Sequence, residues 1–264
     1  MKLAARIEGV GLVGPGLASW KDARAILAGL EPFVPGPTVL NSPEALPATE
    51  RRRAGKCVRL SLAAGLEAAS EAGRGPRDLV AIFTSSSGEG ENCHAICEAL
   101  ASDDRMISPT RFHNSVHNAP AGYWGIATGA MHSTDCLAAF DASFGAGLVE
   151  AFGRLAAEPS QPVLLIAYDA PYPEPLNATR PIPDCFGVAF ALACATTATR
   201  GPRVTFETTQ EHASILAEAP LEALRVSIPA ARALPLLALL ARGESGRAVI
   251  DYLDGLALAV EVEQ

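Results

Sequence analysis

An apolar segment that passes directly into a helix of small residues constrains this chain more than any other feature. Residues 134–140 predict a short, fully buried strand, because apolar side chains dominate both of its faces. Residues 142–155 predict a helix whose large side chains recur on one face: Phe144, Leu148, Phe152 and Leu155. Asp141 lies at the joint, at the mouth of a helix N-terminus. Free N–H groups and the helix dipole stabilise negative charge there, so such a joint commonly holds a nucleophile.

Eight apolar segments alternate with helical patterns along the chain. The predicted strands are residues 4–13, 79–84, 134–140, 161–168, 186–194, 203–208, 246–252 and 256–262. The predicted helices are residues 20–30, 50–71, 91–101, 119–128 and 142–155, and residues 220–242 are mainly helical. Residues 32–48 and 170–184 each hold five prolines and predict surface loops. The alternation indicates an α/β protein with a mixed sheet.

Composition narrows the class of protein. The 264 residues are 49% hydrophobic and 19% charged, which suits one large globular domain or at most two small ones, and we expect a single domain over residues 1–264. The net charge of −8 argues against nucleic acid or an anionic membrane as a partner. The first residues lack the pattern of a signal peptide, and no apolar run reaches the ~18 residues of a membrane span. We therefore expect a cytoplasmic protein.

Six cysteines are spread along the chain. Without a secretory signal they predict reduced thiols rather than a disulfide framework. Cys93-His94-x-x-Cys97 resembles half of a zinc motif, but it lacks a second ligand pair and lies largely on a predicted helix. We expect no metal and no cofactor.

Residues 107–141 carry the motifs of a known family. Ile107-Ser108-Pro109, and further on Asn118 followed by Ala121-Gly122, resemble the nucleophile region of the β-ketoacyl synthases, the condensing enzymes of the thiolase superfamily. The resemblance extends over about residues 1–200. It implies a thiolase-like fold corresponding to the N-terminal half of a ketosynthase, with a mixed five-stranded sheet and helices on both faces. The part that follows is shorter than in a full ketosynthase.

The catalytic residues of that family are missing. In the family the strand ends in Thr-Ala-Cys, and counting without gaps from Ile107 places that cysteine on Asp141. Cys136 comes five residues earlier, where a packing thiol is the simpler interpretation. The family's His-Gly-Thr and Gly-rich His-Asn motifs do not occur in the sequence. We therefore expect no catalytic site, and we interpret Asp141 as a helix N-cap.

The first functional hypothesis is a ketosynthase-like subunit of the chain-length-factor type. The resemblance implies that such a subunit pairs with a full-length β-ketoacyl synthase, or with itself, and shapes an acyl tunnel in aryl-polyene, polyketide or fatty-acid pathways. An acyl carrier protein would be an indirect partner. Strand 134–140 and helix 142–151 would form the interface, together with helix 119–128. The residues predicted at the interface or tunnel are Asn118, Gly122, Thr134, Leu137, Phe140, Asp141 and Phe144.

The alternative is an acyl-thioester transferase or hydrolase with a changed nucleophile. It would use Cys136, Ser143 or Asp141, with His113 or His117 as the base. Neither histidine falls on a family motif, so a structural role is the simpler interpretation of each. A plain acyl-binding or interaction protein is a third hypothesis.

Overall fold

The eight predicted strands pair into a single sheet. The computed structural model describes residues 3–197 and 200–264. Its strands are β1 (Leu3–Val13), β2 (Val80–Thr84), β3 (Asp135–Leu137), β4 (Val163–Asp169), β5 (Phe186–Cys194), β6 (Arg203–Thr209), β7 (Gly246–Leu253) and β8 (Leu256–Glu263). Their order across the sheet is β3-β2-β4-β5-β1-β6-β8-β7, so β3 and β7 form its two edges.

The sheet is mixed, as the sequence indicated, but it has eight strands rather than five. β2 pairs in parallel with β3 and β4, and the other neighbouring strands are antiparallel. Strands β3, β2, β4, β5 and β1 form a continuous five-stranded part. The expected number was wrong because β6 pairs with the start of β1 and also with β8, which brings the C-terminal hairpin into the same sheet.

The predicted helices form, with an interruption near residue 52, and two short helices that the sequence did not predict occur at residues 109–114 and 176–179. They are α1 (Trp20–Leu27), α2 (Ala48–Arg51), α3 (Lys56–Ala72), α4 (Gly90–Ala101), α5 (Pro109–Asn114), α6 (Ala119–Thr128), α7 (Ser143–Ala157), α8 (Leu176–Thr179), α9 (Ala219–Ser227) and α10 (Leu234–Arg242). The single helix predicted over residues 50–71 is interrupted, because Gly55 is extended and caps α3. The Glu89 carboxylate then accepts the Cys57 N–H at 3.2 Å, as a cap for that helix. None of the described helices is both long and apolar enough to cross a membrane.

Helices cover both faces of the sheet. Alternate residues of a strand point to opposite faces, and β4 is buried along its whole length. Leu165 packs in a core cluster that includes α7, whereas Ile166 packs in a second cluster that includes α3. The backbones approach closely at Gly11 of β1, where a Cβ atom would lie 1.9 Å from the Ala64 carbonyl oxygen of α3. α7, which follows β3, thus belongs to the layer on one face of the sheet, and α3 belongs to the layer on the other.

Candidate functional site

The strand that leads to the joint is shorter and less buried than predicted. β3 spans only Asp135–Leu137, and its three residues are half-buried rather than fully buried. The reason is its position at the sheet edge, where β2 is its neighbour on one side. The chain then turns sharply, and Phe140 has a φ of 51° with its side chain 61% exposed. A bulky residue rarely adopts this left-handed conformation, so the surrounding contacts must hold the turn in place.

Asp141 is held in an ion pair and does not cap α7. The N-cap is Ala142, and no side chain caps this helix N-terminus. The Asp141 carboxylate accepts a hydrogen bond from Arg180, and a nitrogen of Arg232 lies 4.0 Å from its other oxygen. The Arg180 guanidinium also lies 3.6 Å from the centroid of the Phe140 ring, a cation–π contact. The interpretation of Asp141 as an N-cap was therefore wrong, because arginines from later in the chain bind its side chain instead.

Ser143 stabilises the turn before α7. Its hydroxyl donates to the Phe140 carbonyl at 2.7 Å and accepts the Ala139 N–H at 3.0 Å. The side chain is buried, and its one proton is already used in a backbone hydrogen bond. Ser143 therefore has a complete structural role two residues after the candidate nucleophile position.

Cys136 is a protonated thiol at neutral pH. Burial in the second core cluster, with a smaller contribution from the neighbouring Asp135 charge, raises the pKa of the Cys136 thiol to about 11. The thiolate is the nucleophilic form of cysteine. This position in β3 therefore disfavours covalent catalysis and agrees with a packing role.

The two candidate bases do not contact these residues. His113 is exposed and meets Tyr123 edge to face, with ring centroids 6.5 Å apart. His117 places its Nε2 atom 3.3 Å from the Ser85 carbonyl oxygen. Within residues 3–197 and 200–264, no hydrogen bond joins either histidine to Cys136, Asp141 or Ser143. The structure thus does not assemble a nucleophile with a base.

The cysteine pair of the half zinc motif lies on α4. Cys93 and Cys97 are both exposed and one helical turn apart. Across the part of the chain that the structure describes, no group of three or more His, Cys, Asp or Glu side chains could hold a metal ion. A zinc site would need further ligands.

Sequence reasoning missed a buried carboxyl group at the end of β4. Asp169 ends β4 and is 1% exposed. It accepts hydrogen bonds from the N–H and hydroxyl of Ser86, at 2.8 and 2.6 Å, and from the Ala230 N–H at 2.8 Å. Burial raises the pKa of Asp169 to about 6, although these hydrogen bonds oppose the shift. The available signal was an acidic residue at the end of a fully apolar strand.

Asp169 makes folding more favourable at acidic pH. Because its pKa is higher in the folded chain than in the unfolded chain, the folded state binds more protons between pH ~4 and ~6. Its contribution to the free energy of unfolding is full below pH ~4 and is lost as the pH rises through ~6, by at most about 3 kcal/mol. We expect urea unfolding at a series of pH values to show this loss in the native chain and not in Asp169→Asn. Equal pH profiles for both proteins would contradict this assignment.

An apolar groove lies on the surface between α5 and α6. The groove has a volume of about 430 Å³ and is lined by residues of α5, α6 and the turn between them: Phe112, His113, Val116, Asn118, Ala119, Gly122, Tyr123 and Ile126. Phe112 and Ile126 are 65% and 50% exposed. α4, which contacts α5, has no buried residue along its length. Exposed apolar side chains gathered in one groove are a feature of protein interaction sites.

The predicted interface residues differ in how exposed they are. Asn118 and Gly122 line the groove, and Thr134 and Phe140, which precede and follow β3 in the sequence, are exposed. Leu137 is half-buried and packs against the first core cluster. Phe144 is fully buried, with its ring centroid 6.2 Å from that of Phe190 in β5. α7 packs its large side chains inside this chain, so a partner could meet only its other face, and its place at an interface stays a prediction.

Comparison with known proteins identifies the family. The sequence profile of the β-ketoacyl synthase N-terminal domain matches residues 22–248. The chain belongs to this family. No curated protein sequence is significantly similar to it.

Solved structures of ketosynthases share its fold. A chain of the ketosynthase ApeO in complex with its chain length factor ApeC, from Xenorhabdus doucetiae, is 24% identical with a TM-score of 0.73, covering 98% of this chain and 99% of that one. A chain of the ishigamide ketosynthase/chain length factor is 15% identical with a TM-score of 0.67, covering 99% of both chains. A chain of the AntDE:AntF complex, a type II acyl-carrier protein with its ketosynthase, is 9% identical with a TM-score of 0.70, covering 100% of this chain and 99% of that one. These similarities establish a thiolase-like ketosynthase fold.

Proposed function

We propose that this ketosynthase-like chain is a non-catalytic subunit of the chain-length-factor type. It pairs with a full-length β-ketoacyl synthase, which supplies the cysteine and histidines of the active site. Its own role is to complete the dimer and to shape the tunnel that receives the growing acyl chain. The solved complexes of a ketosynthase with its chain length factor support this role by similarity of fold.

The main support for the proposal is that Asp141 is a carboxylate held in an ion pair. Condensation requires a thiolate that accepts an acyl group from a thioester. At this position the chain has a carboxylate bound to Arg180, and attack by a carboxylate on a thioester would give a mixed anhydride that lies uphill. The structure offers no replacement close by, since the Ser143 proton is hydrogen-bonded and the Cys136 thiol is protonated.

The surface around β3 and α6 supports association with a partner. β3 is an edge strand, so its outer side presents backbone groups that pair with none of the strands in residues 3–197 and 200–264. Natural proteins rarely leave such an edge open next to exposed apolar residues. The groove between α5 and α6 adds exposed apolar surface and contains Asn118 and Gly122. We expect an interface of the obligate kind, of ~2,000 Å² or more in total.

We also propose a pathway class and a cellular location, on the same similarity of fold. A role in aryl-polyene-like, polyketide or fatty-acid synthesis would place the subunit in the cytoplasm and make an acyl carrier protein an indirect partner. The alternative, a transferase or hydrolase with a changed nucleophile, has no observation in its favour. His113 and His117 contact Tyr123 and Ser85 rather than the side chains of Cys136, Asp141 or Ser143.

Association is tested by sedimentation of the purified chain with and without a co-expressed full-length ketosynthase of the same organism. We expect a stable heterodimer with the ketosynthase, and self-association when the chain is expressed alone. A soluble monomer that does not bind the ketosynthase would remove the main support for the proposed role.

A further inference from the structure

Arg232 is a half-buried cation whose donors make no hydrogen bond within the described residues. It lies in the short 3-10 helix Pro229–Ala233, and its side chain is 18% exposed. Its ion pair with Asp141 spans 4.0 Å from nitrogen to oxygen, which is beyond hydrogen-bonding distance. None of its nitrogen atoms is among the buried polar atoms of the described residues that lack a partner, so the guanidinium still meets solvent. Its five N–H donors are therefore free to bind an acceptor that enters from solvent.

The guanidinium borders an open cavity of suitable chemistry. The cavity has a volume of about 250 Å³ and is lined by Asp141, Arg180 and Arg232 at its polar end. Its other walls are largely apolar and include Ile182, Val226 and Pro229. A cavity with cations at one end and apolar walls fits a small organic anion.

Arg180 does not compete for that anion. It already donates to the Asp141 carboxylate and to the Tyr172 hydroxyl, and its flat face lies against Phe140. It is therefore held in place and contributes positive charge to the cavity. Arg232 has its donors available, in the planar fork that binds a carboxylate through two parallel hydrogen bonds.

The charges of the three groups select a monoanion. Among the residues that line the cavity, Arg180 and Arg232 carry two positive charges and Asp141 carries one negative charge, which leaves a net charge of +1. The buried Asp169, whose carboxylate interacts with Arg180, makes the polar end less positive still. One carboxylate neutralises this charge, whereas a phosphate dianion would leave an excess negative charge beside Asp141. We infer that the cavity between Arg180 and Arg232 is a binding site for a small organic monocarboxylate, held by Arg232. This site does not depend on the proposed pairing with a ketosynthase.

Calorimetric titration with benzoate tests the site at neutral pH. The purified native chain should bind benzoate saturably, with a dissociation constant of about 1 mM, and methyl benzoate should not bind there because it lacks the charge. Arg232→Gln should weaken benzoate binding by about tenfold or more. Arg242→Gln is the matched control, since Arg242 lies at the end of α10 and pairs with Glu244 at 3.0 Å. It should leave the dissociation constant unchanged.

Two further variants distinguish the loss of the binding site from damage to the fold. Asp141→Asn removes the negative charge and should tighten benzoate binding several-fold, which is opposite to the effect of a damaged fold. Arg232→Lys keeps the charge without the planar fork and should bind with intermediate strength, which serves the test if Arg232→Gln does not fold. Absence of saturable benzoate binding, or equal binding by Arg232→Gln, would overturn the assignment. Tighter binding of phenyl phosphate than of benzoate would overturn it as well, because the charge argument would then be wrong.

Discussion

Ile126→Arg is expected to abolish pairing with the ketosynthase while leaving the chain folded. Ile126 is 50% exposed on α6 and lines the apolar groove, so an arginine can reach solvent in the single chain. In the proposed complex the same side chain would bury an unpaired charge, which is strongly unfavourable. We expect at least about a 100-fold loss of affinity, measured by titration of the ketosynthase.

Ile215→Arg is the matched control for that experiment. Ile215 is 77% exposed, and its neighbour Ser214 hydrogen-bonds to β7, the sheet edge opposite β3. The same substitution there should leave the affinity within about twofold of the native value. Both variants should unfold at nearly the native temperature. Equal loss of affinity in both, or none in Ile126→Arg, would show that the interface lies elsewhere. Leu137 is less suitable for this test because it also packs against the core of its own chain.

Gly11→Ala is expected to destabilise the fold strongly, although it adds only one methyl group. The added Cβ would lie 1.9 Å from the Ala64 carbonyl oxygen and 2.9 Å from the Ala68 nitrogen, and both are backbone atoms of α3. The helix must move away from β1 to accept one methyl group. We expect the free energy of unfolding to fall by about 3 kcal/mol or more, as measured by urea denaturation.

Gly153→Ala adds the same methyl group without the collision. Gly153 is exposed within α7, and a Cβ there would meet no atom within 4 Å. Replacing a glycine inside a helix by alanine should stabilise the protein by about 1 kcal/mol. If Gly11→Ala were as stable as the native chain, the close packing of β1 on α3 would be wrong.

The strands were predictable because the pattern of buried apolar residues is local. All eight apolar segments form strands, and the 3.6-residue spacing of Phe144, Leu148 and Phe152 correctly gave the buried face of α7. The extent to which the side chains of β3 are buried was not predictable, because an edge strand and a central strand can have the same apolar sequence. The sequence also did not show which neighbours the small residues of α7 meet: at Gly147 an added Cβ would lie 2.7 Å from Leu165 and 2.9 Å from Thr84.

The candidate site depends on contacts between residues that are distant in sequence. Counting along the motif placed Asp141 at the joint, but its partners Arg180 and Arg232 come 39 and 91 residues later and belong to no motif. An acidic residue next to a helix start is commonly a cap, and only the tertiary structure reveals that arginines bind it instead. Asp169 was missed for the same reason, since its hydrogen-bond donors come from the loop after β2 and from residue 230.

The most direct test of the central claim is the condensation of malonyl and acyl thioesters that are carried by an acyl carrier protein. This chain and the full-length ketosynthase are assayed alone and together. We expect no product from this chain alone, and none from its Asp141→Cys variant alone, even though a thiol at that helix start should be alkylated readily. The pair with the ketosynthase should condense, lose activity when the nucleophilic cysteine of the ketosynthase is replaced, and keep it when Cys136 of this chain becomes alanine. Turnover by this chain alone that is lost on changing Asp141, Ser143 or Cys136 would contradict the account.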